Sequence, residues 1–461
     1  MADLSFPPGF VFGAGTAAFQ IEGATAADGR GPSIWDTFCA EPGRVAGGDT
    51  GEPACEHYRR WPQDVELLRR LGVDSYRFSV AWPRVRPTGS GAVNRAGLDF
   101  YERLVDGLLA AGIEPALTLY HWDLPQELED GGGWRARDTA HRFAEYAAVV
   151  AGALADRVPR WTTLNEPWCS AFLGYGNGVH APGVRSGTPA LAAAHHLLLG
   201  HGLALEALRA AGVREAGISL NLDHVSPADP DSPADAAAAL RARTQRNLVW
   251  TEPLLRGRHP ASEADTWGEL IGRQDFRRDG DLAVIAAPMD FLGVNYYTPA
   301  TVRAAPYAEP DPSLRDATDN RFAHVRDPRA RHTAMDWAVV PDTLRELLVG
   351  LRDEYGAALP PLYVTENGSA EDDLPGPDGT VRDTDRIAYL DGHLRAVAGA
   401  LAAGVDVRGY YLWSLLDNFE WSYGYGKRFG AVHVDYATQR RTPKSSFAWY
   451  RELISRHRAS S

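Results

Sequence analysis

Four segments of the chain repeat one pattern: an amphipathic helix, a glycine at its end, and a short strand rich in β-branched and aromatic residues. The four glycines are Gly72, Gly112, Gly212 and Gly404. Glycine suits the left-handed backbone conformation that commonly ends a helix. The pattern therefore predicts helices and strands that alternate along the chain.

Apolar runs predict eight strands, most of them separated by helical stretches. The predicted strands lie near residues 10–15, 75–80, 116–120, 161–164, 218–221, 291–295, 362–365 and 409–413. Eight strands that alternate with helices, without a break in composition, favour an α/β fold with a single (β/α)8 TIM barrel. The predicted domain spans residues 1–461, with its core at about 6–450. A doubly wound parallel sheet is the alternative.

Three stretches dense in Pro, Asp and Gly interrupt the alternation, at residues 228–242, 304–332 and 369–386. Their composition predicts long loops. Two of them follow the sixth and seventh predicted strands, so we expect them over the C-terminal mouth of the barrel. That mouth is where barrel enzymes build their substrate sites.

Residues 11–20, VFGAGTAAFQ, match the G-x-G-x-x-A fingerprint of a dinucleotide site. The fingerprint also needs a crossover helix and a second strand within about 30 residues. Four helix breakers lie between residues 23 and 32, and no apolar strand follows in that range. We therefore interpret the stretch as a first barrel strand whose small residues relieve crowding and which leaves Gln20 at the mouth.

The charge balance limits the classes of partner. A net charge of −13 over 461 residues disfavours nucleic acid and anionic membranes, both of which need a basic face. The N-terminus MADLSFPPGF lacks a basic region followed by an apolar one, which favours a cytoplasmic location. The three cysteines have no C-x-x-C spacing, and three histidines at residues 195–201 lack i,i+4 spacing. No metal site is therefore expected.

Polar and aromatic residues stand at the ends of strands whose interiors are apolar. This set comprises Gln20, Arg77, His121, Trp122, Asn165, Glu166, Asn295, Tyr297, Glu366, Asn367 and Trp413. Because barrel strands end at one rim, these side chains are expected to lie together. A carboxylate at such a place costs free energy unless a partner or a function retains it. Two of them, Glu166 and Glu366, at matching strand ends favour a catalytic rim over ordinary loop residues.

Paired carboxylates in an aromatic surround are typical of enzymes that cleave glycosidic bonds. One carboxyl protonates the departing oxygen while the other attacks the sugar carbon or activates water. Indole rings can stack against the C–H faces of sugars. Most of the 13 tryptophans are expected in the core. Those near the predicted rim are Trp122, Trp168, Trp337, Trp413 and Trp421.

Four motifs in order, FVFGAGTAAFQIEGA, TLNEP, VTENG and WSLLDNFEW, resemble the signatures of glycoside hydrolase family 1, the retaining β-glucosidases. The match runs from about Phe6 to about Tyr450. The resemblance implies a single barrel, no metal or organic cofactor, and hydrolysis through a covalent glycosyl-enzyme. The implied substrates are β-glucosides, β-galactosides or β-fucosides, including aryl or alkyl glycosides and short cello-oligosaccharides. It implies a monomer or homo-oligomer active in cellulose and polysaccharide degradation.

By the same resemblance, Glu366 corresponds to the nucleophile and Glu166 to the acid/base. Arg77 and Tyr297 are expected beside Glu366, because a cation and a phenol donor favour its ionised form. Glu166 is expected to face that negative charge in a poorly solvated pocket, which would raise its pKa. Retaining chemistry predicts a separation of about 5 Å between the two carboxyl groups.

The resemblance also implies the sugar contacts. Asn165 is the expected partner of the 2-hydroxyl, and Asn295 supports catalysis. The implied sugar-binding set is Gln20, His121, Trp122, Asn165, Tyr297, Trp413, Glu420, Trp421 and Phe429. The aglycone side is expected to include Trp168, Cys169, Leu173, His180 and Trp337.

The residues at the site disfavour three other functions. A 6-phospho-β-glycosidase would need a cationic pocket after the eighth strand, where DNFEWSYGYGKRFG instead places Glu420 to repel phosphate. A non-catalytic sugar-binding relative would have lost a carboxylate, yet both Glu166 and Glu366 are present. A thioglucosidase would carry Gln in place of Glu166.

Overall fold

A computed structural model describes residues 4–271 and 275–460. Eight parallel strands form a closed barrel in chain order, and the last strand pairs with the first. The strands are β1 Val11–Gly15, β2 Ser75–Ser79, β3 Glu114–Tyr120, β4 Arg160–Asn165, β5 Glu215–Asn221, β6 Phe291–Asn295, β7 Leu362–Asn367 and β8 Val407–Trp413. Every predicted strand coincides with one of these, so the predicted TIM barrel is confirmed and the doubly wound sheet is excluded.

One helix or more follows each strand and covers the outside of the barrel. The main helices are α1 His57–Leu71, α2 Arg95–Ala110, α3 Asp138–Leu154, α4 Thr188–Ala210, α5 Val249–Arg256, α6 Asp342–Tyr355, α7 Thr384–Ala402 and α8 Ser445–Ser460. The four glycines of the repeated pattern adopt the left-handed conformation expected of them, with φ between +74° at Gly112 and +88° at Gly404. The sequence pattern therefore marked real helix ends.

Shorter elements lie mainly in the connections between strands and helices. Short helices are Ala18–Ile21, Ile34–Ala40, Trp82–Val85, Gln126–Asp130, Pro233–Arg243, Glu263–Trp267 and Asp281–Ile285, with π-helical turns at Cys169–Gly174 and Thr244–Leu248. Strands Val225–Pro227, Ala300–Ala304 and Phe322–His324 form a small sheet, and Val432–Asp435 pairs with Arg440–Pro443.

The helix α4 is long and apolar enough to cross a membrane by length and composition alone. Within the fold, 83% of its most apolar window is buried. Burial on this scale is that of a core helix packed among its neighbours.

The small residues of β1 relieve crowding at the barrel centre, as the sequence predicted. A Cβ atom on Gly13 would lie 2.3 Å from Cδ1 of Tyr411 and 3.0 Å from the Ser75 carbonyl oxygen. A Cβ on Gly15 would lie 3.2 Å from Cε3 of Trp413. The two glycines therefore make room for the large side chains of β8 that fill the barrel.

The prediction of a loop over residues 228–242 is wrong, because Pro233–Arg243 is helical. The Ser232 side chain accepts a hydrogen bond from the Asp235 amide, and Pro233 occupies the first turn. Proline at this position and a serine cap start helices, although the same residues also break them. Of the predicted loop 304–332, Ala304 ends the strand Ala300–Ala304 and the rest contains the short strand Phe322–His324. Of the predicted loop 369–386, residues 369–383 are irregular, as expected, and 384–386 belong to α7.

Candidate active site

A cavity of about 830 Å³ opens at the C-terminal ends of the barrel strands. Its volume is within the range of small-molecule sites, about 300–1,000 Å³. Its wall includes the predicted residues His121, Trp122, Glu166, Trp168, Cys169, Leu173, His180, Asn295, Tyr297, Trp337, Glu366, Trp413, Glu420, Trp421 and Phe429. Gln20, Arg77 and Asn165 are buried behind this wall and hydrogen bond to residues in or next to it. The structure thus brings these sequence-predicted residues together. Asn367, also expected at the rim, is absent from the wall and instead donates to the Tyr296 carbonyl oxygen and the Tyr389 hydroxyl.

Glu366 lies on β7 between a cation and a phenol. Arg77 Nη1, from β2, lies 2.5 Å from Glu366 Oε1, and the Tyr297 hydroxyl donates to Oε2 at 2.6 Å. Burial raises the pKa of Glu366, while Arg77, Tyr297 and Asn295 oppose the rise by favouring the carboxylate. Both partners are those expected from the sequence.

Glu166 follows β4 and faces Glu366 across the cavity, with only neutral hydrogen bond donors on its oxygens. Asn295 Nδ2 donates to Oε1 at 2.7 Å, and the Cys169 thiol donates to Oε2 at 3.2 Å. Burial and the negative charge of Glu366 raise the pKa of Glu166 to about 7. Arg77 forms an ion pair with Glu366 and not with Glu166. The negative charge that the two glutamates share therefore resides on Glu366, and the proton resides on Glu166.

Three amide and guanidinium groups connect the two carboxyls to the strand ends. Arg77 Nη2 donates to Asn165 Oδ1 at 2.6 Å, and Asn295 Nδ2 lies 3.0 Å from the same oxygen. The Thr365 hydroxyl donates to Asn295 Oδ1 at 2.6 Å, which orients the Asn295 amide toward Glu166. This network fixes the charged groups before any ligand arrives, which lowers the reorganisation that reaction requires.

The neutral ring of His121 forms part of the cavity wall. Asn165 Nδ2 donates to Nε2 of His121 at 3.0 Å, so the ring proton resides on Nδ1. Burial and the nearby Arg77 charge lower the pKa of His121 well below its usual range. Nδ1 is buried and has no partner among the described residues.

Indole rings surround this histidine and build an apolar surface for a sugar ring. His121 stacks nearly parallel to Trp413 and Trp421, at centroid distances of 5.7 and 5.9 Å. Trp122 Nε1 donates to the Asn165 carbonyl oxygen at 2.9 Å, and its ring contacts that of Trp421. Phe429 packs against the ring of Tyr297. Such rigid aromatic walls match the C–H faces of pyranose rings.

Gln20 forms hydrogen bonds to the segment that contains Glu420. Its Nε2 lies 2.8 Å from the Phe419 carbonyl oxygen, 3.1 Å from Asn418 Oδ1 and 3.4 Å from Glu420 Oε2. Its Oε1 is buried without a partner among the described residues. Burial and the charges of Glu366 and Glu166 raise the pKa of Glu420 to about 8, and the hydrogen bond from Gln20 opposes the rise. Glu420 lies in the cavity wall, and Gln20 holds it there from behind.

Replacing Gln20 with alanine is expected to lower kcat/KM for an aryl β-glucoside by about 10- to 100-fold, because it removes hydrogen bonds worth about 1–3 kcal/mol. Steady-state kinetics of the purified variant would measure the loss. Gln126→Ala is the matched control, because Gln126 bonds to Asp130 on a surface helix. Equal kcat/KM in the Gln20 variant and the wild type would contradict this role.

The five predicted aglycone-side residues lie in the cavity wall, together with polar neighbours that sequence reasoning missed. The Arg246 guanidinium stacks on Trp168 at 3.6 Å and pairs with Asp223 at 2.6 Å. Trp337 packs beside Tyr297 at a centroid distance of 5.3 Å. Other missed wall residues are Asn221, His224, Ser226, Thr298, His324, Arg326, Asp327, His332 and Met335. These residues lie at the end of β5 or in the segments that follow β5 and β6. The only sequence feature that could have indicated them was the loop-like composition of those segments.

The α4 histidines, for which the sequence predicted no metal role, have protein partners. His195 Nε2 lies 2.7 Å from Asp281 Oδ2, and His201 Nδ1 lies 2.7 Å from the Thr163 hydroxyl. In residues 4–271 and 275–460 no group of three or more His, Cys, Asp or Glu side chains is arranged to hold a metal ion.

Comparison with known proteins gives one consistent relationship. The family model of glycosyl hydrolase family 1 matches residues 2–459. The chain is 49% identical over 470 residues to the bifunctional β-D-glucosidase/β-D-fucosidase of Bifidobacterium breve, with 99% of each chain covered. It is 51% identical over 458 residues to thermostable β-glucosidase B of Thermobispora bispora, covering 99% of this chain and 92% of that protein. The crystal structure of psychrophilic β-glucosidase BglU from Micrococcus antarcticus matches with a TM-score of 0.94 at 47% identity, covering 99% of this chain and 100% of that one.

Proposed function

The chain belongs to glycosyl hydrolase family 1 and is a glycoside hydrolase, and from that premise we propose that it is a β-glucosidase acting with retention of configuration. One observation carries the proposal. Glu366 is held as a carboxylate by Arg77 and Tyr297, while the facing Glu166 has its pKa raised to about 7. One cavity therefore contains a nucleophile and a proton donor at the same pH.

In the first half of the reaction, a carboxylate oxygen of Glu366 attacks the anomeric carbon of the bound glucoside. The bond from that carbon to the aglycone oxygen breaks, and Glu166 transfers its proton to the departing oxygen. Arg77 and Tyr297 orient the attacking carboxylate. The product is an alcohol and a glucosyl ester of Glu366 with inverted configuration.

In the second half, the loss of charge on Glu366 changes the state of Glu166. Once Glu366 is an ester, its negative charge no longer adds to the effect of burial on Glu166, so the pKa of Glu166 falls and the group can act as a base. It takes a proton from water, whose oxygen attacks the anomeric carbon and expels Glu366 as a carboxylate. Two inversions give β-glucose. The expected carboxyl separation of about 5 Å belongs to this mechanism.

We propose an unphosphorylated β-glucosyl residue as the sugar, with β-galactosyl and β-fucosyl residues as further substrates. The named activity of the Bifidobacterium breve relative supports the β-fucosides. The cavity wall after β8 carries the carboxyl of Glu420, which supplies no positive charge to hold a phosphate. Of the two lysines, Lys444 pairs with Asp373 and Asp417, and Lys427 bonds to the Ala334 carbonyl oxygen. Short cello-oligosaccharides would then be natural substrates, and the protein would act in cellulose degradation in the cytoplasm.

A panel of aryl β-glycosides tests the proposal. The panel contains the glucoside, galactoside, fucoside and 6-phosphoglucoside, with cellobiose as a disaccharide. We expect turnover of the glucoside and cellobiose, and kcat/KM for the 6-phosphoglucoside at least about tenfold lower. Preferred turnover of the phosphorylated glycoside would favour the 6-phospho-β-glycosidase. Binding without turnover of any member would favour the non-catalytic relative.

The pH dependence of kcat/KM should be bell-shaped, with its basic limb near pH 7. The active form needs Glu166 protonated, and its pKa is raised to about 7. Above that pH, kcat/KM is expected to fall about tenfold per pH unit, while the acid limb reports ionisation of Glu366. The measurement is kcat/KM for an aryl β-glucoside at fixed ionic strength. A profile that stays flat to about pH 9 would contradict the assignment of the proton to Glu166.

A further inference from the structure

Cys169 contacts the carboxyl of Glu166, which lies three residues before it in the chain. Glu166 follows β4 with a left-handed φ of +45°, and Cys169 begins the π-helical turn Cys169–Gly174. The Cys169 amide donates to the Glu166 carbonyl oxygen at 2.9 Å, which fixes the turn. Its Sγ lies 3.2 Å from Glu166 Oε2. The local backbone therefore directs a thiol at the acid/base carboxyl.

A second hydrogen bond orients this thiol. Asn221, at the end of β5, donates Nδ2 to Sγ of Cys169 at 3.8 Å. Because the sulfur accepts from Asn221, its own proton is free to point at Glu166. Burial and the adjacent Glu166 raise the pKa of the Cys169 thiol well above its usual range, so it stays protonated.

The two oxygens of Glu166 have different partners. Asn295 holds Oε1 with an amide that can only donate. Within the described part of the chain, the partner of Oε2 is the Cys169 sulfur. A thiol donates weakly to a carboxylate and accepts weakly from a carboxylic acid, so it suits an oxygen that gains and loses a proton in each cycle.

The charged groups around Glu166 come from other elements. Glu366 on β7 and Glu420 after β8 disfavour its ionisation, and Arg246 in the turn Thr244–Leu248 favours it. Asp223 is paired with Arg246, which reduces the effect of that cation. The phenol of Tyr297 also lies nearby and donates to Glu366. None of these donates a hydrogen bond to Oε2, so the contribution of Cys169 can be separated from theirs.

We propose that Cys169 is a positioning residue that holds Oε2 of Glu166 as the proton-carrying oxygen and stabilises its carboxylate form. This inference rests on the proposed β-glucosidase function. The thiol takes part in no bond change, since the proton moves between Glu166, the departing oxygen and water. The competing explanation is that Cys169 fills space in the aglycone wall, as its cavity position alone would suggest.

The test compares Cys169→Ala and Cys169→Ser with the wild type, using kcat/KM for an aryl β-glucoside against pH. Removing a donor to the carboxylate raises the pKa of Glu166, so the basic limb in the alanine variant should move about half a unit to higher pH. The serine variant keeps a hydroxyl donor, so its limb should stay at or below the wild-type position. Cys39→Ala is the matched control, because Cys39 is a buried free cysteine that lies outside the cavity wall.

The outcomes distinguish the positioning role of Cys169 from the proposed β-glucosidase function. The positioning role is supported if the basic limb of the alanine variant lies at higher pH than that of the wild type and the limb of the serine variant does not. A higher KM in both variants with an unmoved basic limb would overturn it in favour of packing. An alanine variant with an unmoved limb and unchanged KM would also overturn it. Absence of β-glucoside turnover by the wild type would instead contradict the proposed function. Thermal unfolding of each variant would check that the fold is retained.

Discussion

Replacing Glu366 with alanine is expected to lower kcat/KM for an aryl β-glucoside by about 10⁴-fold or more, because it removes the attacking oxygen of the first step. Arg77 and Tyr297 would then face an empty space in place of a carboxylate. The remaining groups cannot form the glucosyl ester, so the loss should be as large for good leaving groups as for poor ones. Steady-state kinetics across a series of aryl glucosides would measure it.

An added anion checks that the lost activity of the Glu366 variant comes from the missing nucleophile and not from a damaged fold. Azide can occupy the space that the Glu366 carboxyl leaves and attack from the same side of the sugar. The expected product is the α-glucosyl azide, formed by one inversion. Glu66→Ala is the control, because Glu66 is an exposed helix residue paired with Arg69. Formation of β-glucosyl azide by the Glu366 variant, or near-normal activity, would contradict the assignment.

Replacing Glu166 with glutamine is expected to lower kcat/KM for cellobiose or alkyl β-glucosides by about 10²- to 10⁴-fold. Glutamine keeps the shape, and its one carbonyl oxygen can accept from Asn295 while its amide nitrogen takes the place of Oε2 beside the Cys169 sulfur, but it has no acidic proton to give. A 2,4-dinitrophenyl leaving group needs little protonation, so its kcat/KM should fall far less. The measurement is the dependence of kcat/KM on the pKa of the leaving phenol.

The second step offers a separate check on Glu166. Water needs a base to attack the glucosyl ester, whereas azide does not. Added azide should therefore raise kcat of the Glu166 variant on dinitrophenyl glucoside and yield β-glucosyl azide. An equal loss for all leaving groups, with no effect of azide, would contradict an acid/base role.

Much of the architecture could be predicted because its physical causes are local. The glycines at helix ends and the apolar strands depend on a few neighbouring residues, as Gly112 and the strand β3 that follows it illustrate. Arg77 stood out because a charge inside an apolar strand needs a partner, and Glu366 is that partner. The repeat of strand and helix then determined which side chains share a rim.

The remaining features depend on local backbone geometry that no sequence pattern marks, or on contacts between distant segments. The left-handed φ at Glu166 and the π-helical turn after it bring the Cys169 thiol to Oε2, and no local pattern indicates either. The stacking of Arg246 on Trp168 joins residues 78 positions apart along the chain. The helix Pro233–Arg243 was missed because proline and serine start helices as well as loops.

The most direct test of the central claim is to trap the covalent intermediate. A 2-deoxy-2-fluoro-β-glucoside with a dinitrophenyl leaving group should form the ester quickly and hydrolyse it slowly, because fluorine destabilises the cationic transition state of both steps. Mass spectrometry of the intact protein, followed by peptide mapping, would locate the adduct. The account predicts one fluoroglucosyl group on Glu366. Turnover of β-glucosides with no adduct, or an adduct on another residue, would contradict it.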